Sequence, residues 1–304
     1  MTAPILLALA VGEAVPLPGA RTVAAAARAA GVAALRLLDG PPGHTLDPTV
    51  VAGYLGGAVP GLGLVAEIPT THHAPYNTAR RVLSLDRAGG GRTGIALRAG
   101  GGDEVSDVTA ADPQATGPAR RWQEYARVLT GLWESFPRSA LLGDQAAGIV
   151  ADDALIAPIG HEGACYRVAG PLDGPSSVQG RPVLVADLGA LDAAAVAESA
   201  DVVVAGRDRA EGAHAELTAA LQAAGRSRRE VALLGRVEIA EGSRVSAAEL
   251  RAWAGRDSLD GFELVPAGGA AAVLEVLRTL VPRLGGPRRA GTLRAALGLP
   301  AVRS

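Results

Sequence analysis

Four adjacent side chains, Thr70, Thr71, His72 and His73, are the densest set of groups in this 304-residue chain that could do chemistry. Imidazole changes charge near neutral pH, so either histidine is a candidate general base or hydrogen-bond donor. The pair also reads as an ordinary loop pair. Adjacent residues in an extended segment point apart, and no third ligand lies at helical or strand spacing, so no metal site is expected. The threonine hydroxyls can cap the helix that begins near Tyr76 or tie a turn. Asp39, at the end of a short apolar run, is either a catalytic carboxylate or part of an Asp39-Gly40-Pro41-Pro42 turn.

Other chemistries fall away. The chain has no lysine, which excludes a Schiff-base mechanism. Cys165 is the only cysteine, so an intramolecular disulfide and a multi-cysteine metal site are excluded. Ser84, Ser106, Ser176 and Ser177 have no nucleophile-elbow context. The glycine runs at 89–91 and 100–102 lack the spacing of a phosphate loop. A net charge of −2 gives no reason to expect nucleic acid. The clusters Arg226, Arg228, Arg229 and Arg288, Arg289 read as solvated helix ends or loops. The preference for arginine over lysine looks like the codon usage of a GC-rich genome. No basic segment opens the chain and no apolar run reaches about 18 residues, so neither a secretion signal nor a membrane span is expected. Cytoplasm is the default location.

The elements that must position these groups alternate. Strands are predicted over 5–11, 34–38, 62–68, 93–97, 183–187, 202–205, 231–239 and 261–265. Helices are predicted over 22–30, 48–55, 76–86, 120–136, 193–198, 210–224, 247–253 and 270–284, with a turn at Pro18-Gly19 and a loop over 100–118. Eight such units close into a (β/α)8 TIM-type barrel, whose strand C-terminal ends carry the chemistry. The non-alternating stretch over about 140–180 is an insertion between the fourth and fifth βα units. The composition, 48% hydrophobic and 20% charged, supports a substantial core and one domain over 1–304. A doubly wound sheet would need a glycine-rich turn after an early strand, and Gly12-Glu13-Ala14 is not one. Closure of the barrel would bring Thr70, His72, Arg98 and Asp187 to a single rim.

Four stretches resemble the nitrilotriacetate and dibenzothiophene-sulfone monooxygenase branch of the luciferase-like flavin monooxygenases. They are LGLVAEIPTTHHAPYNTARRVLSLDRAGGGR at 62–92, the helix ending LWESF at 136, HEGACYRVAGPLDGPSSVQGRPVL at 161–184, and DGFELVP with the LRAALGLP tail. The resemblance implies a TIM-type barrel that binds reduced FMN, delivered by a separate flavin reductase, and oxygenates a small organic substrate. It also implies a dimer, either a homodimer or a heterodimer with a paralogue. Thr70 and Thr71 match the family's threonine pair at the flavin ring edge, and His72 and His73 follow it at the mouth. His161 matches a position that orders a hairpin.

The sequence departs from that branch around the cofactor. Ile95, Ala96, Leu97, Arg98 and Ala99 replace a W-N-V-V-T segment, and Arg98 either substitutes electrostatically for what is lost or faces solvent. Val185 to Ala190 replaces the Q-A-G-x-S run that receives the flavin phosphate, and brings in Asp187. Two like charges about 5 Å apart repel by on the order of 3 kcal/mol at an effective dielectric near 20. That penalty holds unless Asp187 points away or an arginine neutralises it. Trp122, Tyr125 and Ala126 also depart from the branch's long helix. A degenerate flavin pocket is therefore expected, and a flavin-free barrel, serving as a partner subunit or small-molecule binder, is the alternative to an active monooxygenase.

Overall fold

The computed structural model describes residues 3–40, 44–100, 117–285 and 290–302. The Pro41-Pro42 turn, Gly101, Gly102, Ser106, most of the 100–118 loop and the Arg288-Arg289 pair lie outside the described residues. The first half runs β1 (Ile5–Leu9), α1 (Leu17–Ala30), β2 (Ala34–Leu37), α2 (Pro48–Ala58), β3 (Gly63–Pro69), α3 (Pro75–Ala88), β4 (Thr93–Arg98) and α4 (Pro118–Glu134). Two short antiparallel hairpins follow, β5 (Leu141–Asp144) with β6 (Ile149–Ala151) and β7 (His161–Glu162) with β8 (Arg167–Val168). The alternation then resumes with β9 (Val183–Asp187), α5 (Ala193–Ala197), β10 (Val202–Ala205), α6 (Arg207–Ala210), α7 (Ala213–Ala223), β11 (Ala232–Ile239) and α8 (Ala247–Asp257). The chain ends in β12 (Gly261–Pro266), α9 (Ala270–Thr279), α10 (Val281–Leu284) and α11 (Leu293–Ala296).

The eight long strands form a closed barrel in the order β1-β2-β3-β4-β9-β10-β11-β12, every neighbouring pair parallel. Runs such as Val202-Val203-Val204 are apolar on both faces because a parallel strand is covered on both. One face packs on the helices and the other on the lumen. No helix among the described residues is long and apolar enough to cross a membrane.

Among the boundaries that differ from the sequence pattern, three have a clear local reason. Pro18 sits in the first turn of α1, where its missing N–H costs nothing, so Pro18-Gly19 opens the helix instead of marking a turn. Gly212, at φ 79°, divides the helix predicted over 210–224. Pro282 interrupts the helix predicted over 270–284 near Leu280. The arginine cluster is also less solvated than its charge suggests. Arg226 donates to the Ala197 and Ala200 carbonyls at 2.7 and 2.9 Å, and Arg228 donates to Asp260 at 2.8 Å.

Inside the barrel, side chains alternate with the strand period of two. The lower layer is apolar, with Leu6, Ala34, Val65, Ala96, Val185, Val204 and Leu234 around Leu293, Leu297 and Leu299 of the C-terminal tail. Thr292 caps α11 by accepting from the Ala295 amide at 3.2 Å. The tail fits because β3 and β4 carry Gly63 and Gly94 here. A Cβ at Gly63 would run into the Ala33 carbonyl and lie 3.0 Å from Leu293. Arg294 and Arg181 both reach the buried Asp201, Arg181 at 2.7 and 2.9 Å and Arg294 at 3.2 Å, which anchors the tail. Leu293→Ala should therefore open a cavity under the lumen and cost about 2–5 kcal/mol. Urea denaturation is expected to show a lower midpoint at an unchanged slope.

Candidate active site

One step up from the apolar layer, six of the eight strands carry a charge. Ala34 gives way to Arg36, Val65 to Glu67, Ala96 to Arg98, Val185 to Asp187 and Leu234 to Arg236, with Glu263 on β12 completing the ring. Arg36 sits at its centre, 2% exposed. Its Nε donates to Glu67 at 3.2 Å, Nη1 to Asp187 at 2.8 Å and Glu263 at 2.9 Å, and Nη2 to Glu67 at 2.8 Å and Asp187 at 2.6 Å. A guanidinium has five N–H donors, and all five are used. Arg236 reaches two of the same acids, with Nε 2.6 Å from Glu263 and Nη2 2.7 Å from Asp187. Arg98 closes the outer edge, 3.1 Å from Asp39 and 3.5 Å from Glu67.

These contacts shift the groups in opposite directions. Burial alone would lower the Arg36 pKa, but Glu263, Asp187 and Glu67 raise it well above its ordinary value. Burial alone would raise the Asp187 carboxyl, yet the Arg36 hydrogen bond, with the charges of Arg36 and Arg236, holds it below the usual carboxylate range. Sequence reasoning placed Asp187 at the rim and missed Arg36, Glu67, Arg236 and Glu263. The signal was present: Arg36, Glu67 and Glu263 are each a lone charge in an apolar strand, and Arg36, Glu67 and Arg236 lie two residues beyond a lumen-facing position.

The β3–α3 loop stands beside this layer. Thr70 has no exposed surface; its amide donates to the Arg98 carbonyl at 2.9 Å and its hydroxyl accepts from the Gly100 amide at 3.1 Å. Thr71 is buried against Gly100, where a Cβ would collide with its side chain. Neither threonine caps α3, whose N-cap is Ala74. His72 is exposed and lies in the left-handed region, φ 61°. His73 is half-buried. Burial first, then the Arg81 charge, lowers its pKa, and Asp47 and Asp39 only partly oppose them. A neutral imidazole at neutral pH can accept or donate a proton. The structure thus brings Thr70, Thr71, His73 and Arg98 to one side of the mouth, with Asp39 among them. Asp187 stands on β9, the strand next to β4, and is tied to Arg36 and Arg236. No group of three or more His, Cys, Asp and Glu among the described residues could hold a metal ion.

Whether this rim fits a flavin mononucleotide turns on its donors. The repulsion that Asp187 threatened is reduced, because two guanidiniums pair with it while also serving Glu67 and Glu263. Arg98, paired with Asp39 and Glu67, still keeps 45% of its side chain exposed towards an entering anionic group. The neutral His73 suits the edge of an uncharged ring. The loop after β9 offers less: Leu188 donates its amide to the Val204 carbonyl at 2.8 Å, Gly189 donates to the Leu191 carbonyl at 3.0 Å, and Asp192 caps α5. The donor set therefore fits the cofactor on the β3–β4 side of the mouth.

A closed parallel barrel with titratable groups gathered at the strand C-terminal ends defines a (β/α)8 enzyme-type fold. The family model for luciferase-like monooxygenases matches residues 5–279, and the chain belongs to that family. Dibenzothiophene-sulfone monooxygenase of Rhodococcus erythropolis is 33% identical over 150 residues, which is 49% of this chain and 33% of that one. One of the subunits of pristinamycin IIA synthase from Streptomyces pristinaespiralis is 32% identical over 201 residues, 64% of this chain and 67% of that one. The match to the first relative thus spans about a third of its length. Among solved structures, EDTA monooxygenase from Chelativorans sp. BNC1 superposes with a TM-score of 0.81 at 20% identity, covering 99% of both chains. At that identity the likeness concerns the fold.

Removing Arg36 would leave Glu67 with Arg98 at 3.5 Å and leave Asp187 and Glu263 to share Arg236. Arg36→Met is expected to cost about 3–5 kcal/mol in chemical denaturation, the scale for breaking a buried ion pair. The pH dependence follows from Asp187, whose folded pKa is depressed. Its stabilisation is present above the unfolded carboxylate value near 3.9 and is lost as pH falls through the folded value. Thermal melts from pH 6 down to pH 2 should show this loss below about pH 4, with a weaker acid dependence in Asp187→Asn.

Proposed function

We propose that the chain works as a luciferase-like monooxygenase, one barrel domain over residues 1–304, that oxygenates a small organic substrate with reduced FMN and dioxygen. The observation that carries this reading is a family match across residues 5–279 combined with a mouth where Asp187 is already paired with two guanidiniums. Members of the family are flavin-dependent. When bound, the flavin supplies the activated oxygen. Arg98 is the residue we assign to its anionic part, because it is the rim cation with the most exposed side chain. Thr70 and Thr71 form the wall behind the ring. His73, kept neutral, can hold or pass a proton at its imidazole nitrogen, while His72 stands on the solvent side, towards an entering substrate.

Reduced flavin would come from a separate reductase, and the working compartment in this reading is the cytoplasm. A dimer, with itself or with a paralogue, is supported by an exposed apolar stripe of Leu46, Val50 and Tyr54 along α2 and its approach. The match to a relative named as a synthase subunit is consistent with that arrangement.

A second reading, a flavin-free partner barrel, is favoured by the number of mouth donors already engaged. These are the Gly100 amide, which donates to the Thr70 hydroxyl, the Leu188 and Gly189 amides, and every N–H of Arg36. Titration with FMN, followed by quenching of flavin fluorescence, separates the two. Micromolar binding is expected, weakened in Arg98→Ala by about ten- to a hundredfold, the scale of one hydrogen bond to a charged group. Absence of binding at millimolar FMN would overturn the monooxygenase reading and leave the partner barrel.

A further inference from the structure

The loop that carries the two histidines is gripped from behind by a pair of buried phenols. Tyr125, on α4, lies 3.0 Å from the His73 carbonyl and 2.7 Å from the Thr78 hydroxyl. A phenol has one proton. With the Thr78 hydroxyl donating to it, that proton goes to the His73 carbonyl. Tyr166, next to β8, donates to the Thr70 carbonyl at 3.3 Å. The rings meet edge to face, with centroids 5.4 Å apart and planes at 83°. Burial pushes both phenols well above their ordinary pKa, so both remain donors.

Tyr166 is itself fixed by the residue preceding Tyr125. Glu124 accepts from the Tyr166 amide at 2.8 Å, the Cys165 amide at 3.0 Å and His161 Nε2 at 3.0 Å. Gly163 admits the carboxylate, since a Cβ at that position would run into Glu124. The hairpin between His161 and Val168 is thereby clamped to α4, and α4 and the hairpin each extend one hydroxyl to the same four-residue loop.

We propose that Tyr125 and Tyr166 are positioning residues of the barrel mouth: their hydroxyls pin the carbonyls of His73 and Thr70, and so hold the His73 imidazole in its half-buried place. The Glu124–His161 clamp sets Tyr166 in reach. Between the pinned ends lies His72 in its left-handed conformation, a backbone state that persists only where its surroundings hold it. Without a phenol proton, a buried carbonyl loses its partner and the loop turns towards water to recover one. The inference rests on the reading of the mouth as the reaction site for its functional meaning, but its test needs neither flavin nor substrate.

The test is the titration of the histidine imidazoles by NMR on histidine-labelled protein, with His73→Gln used to assign the signal. In the wild type, His73 should titrate below the ordinary histidine value, in the environment of Arg81, Asp47, Asp39 and His72. In Tyr125→Phe and in Tyr166→Phe it should move up towards that value. A purely structural role would lower the melting temperature and leave the His73 titration alone. An unchanged titration in both folded variants overturns the proposal. If either variant fails to fold, Gly163→Ala, which reaches Tyr166 through Glu124, takes its place with the same two outcomes. Flavin binding can fail while this shift appears, so the two ideas fall separately.

Discussion

A guanidinium with no donor to spare sets the terms for this molecule. Arg36 is buried at the level where the lumen changes from apolar to charged, and it binds acids from three other strands. Taking an ion out of water costs several kcal/mol, and that cost is recovered only when the geometry satisfies the whole group. Here satisfaction requires Glu67, Asp187 and Glu263 to arrive at fixed heights on β3, β9 and β12. Barrel closure and the charge layer therefore constrain each other: the acids meet one cation only in a closed cylinder, and the cation is tolerable only when they do.

Below that layer the rules are those of any core, and above it they are those of a site. Small residues at Gly63 and Gly94 admit the tail from beneath. The Arg36 and Arg236 contacts leave Asp187 charged but paired, which changes what the carboxylate means. As a bare acid it would repel a phosphate; as a member of an ion network it is part of the floor. The likeness to flavin monooxygenases and the altered residues around the mouth are therefore compatible.

Much of this was legible in the sequence because parallel strands leave a simple trace. The eight apolar runs, the helices between them and the placement of Thr70, Arg98 and Asp187 on one rim follow from periodicity and order. What stayed hidden depends on long-range partners. Period two could have flagged Arg36, Glu67 and Glu263 as facing inward, but only the barrel register says that they meet. The Thr70 hydroxyl looks available to a ligand in the sequence, whereas in the fold Gly100 donates to it. Pro18 resembles a turn signal, because the chemistry of a helix start and of a turn overlap at proline. His161 matched a hairpin-ordering position, and its contact with Glu124 shows the physical means.

The locked charge layer also bears on how the mouth would treat a reacting molecule. Water around an ion must reorient as charge moves, whereas guanidiniums and carboxylates already tied to one another can hardly rotate. A charge that develops just above β2, β9 and β12 would feel a static field with little reorganisation. Such a field is poorly screened from below by the dry aliphatic base, so its sign at the rim is set by the one excess carboxylate among Arg36, Arg236, Glu67, Asp187 and Glu263. The barrel floor is, in that sense, a permanent electrode.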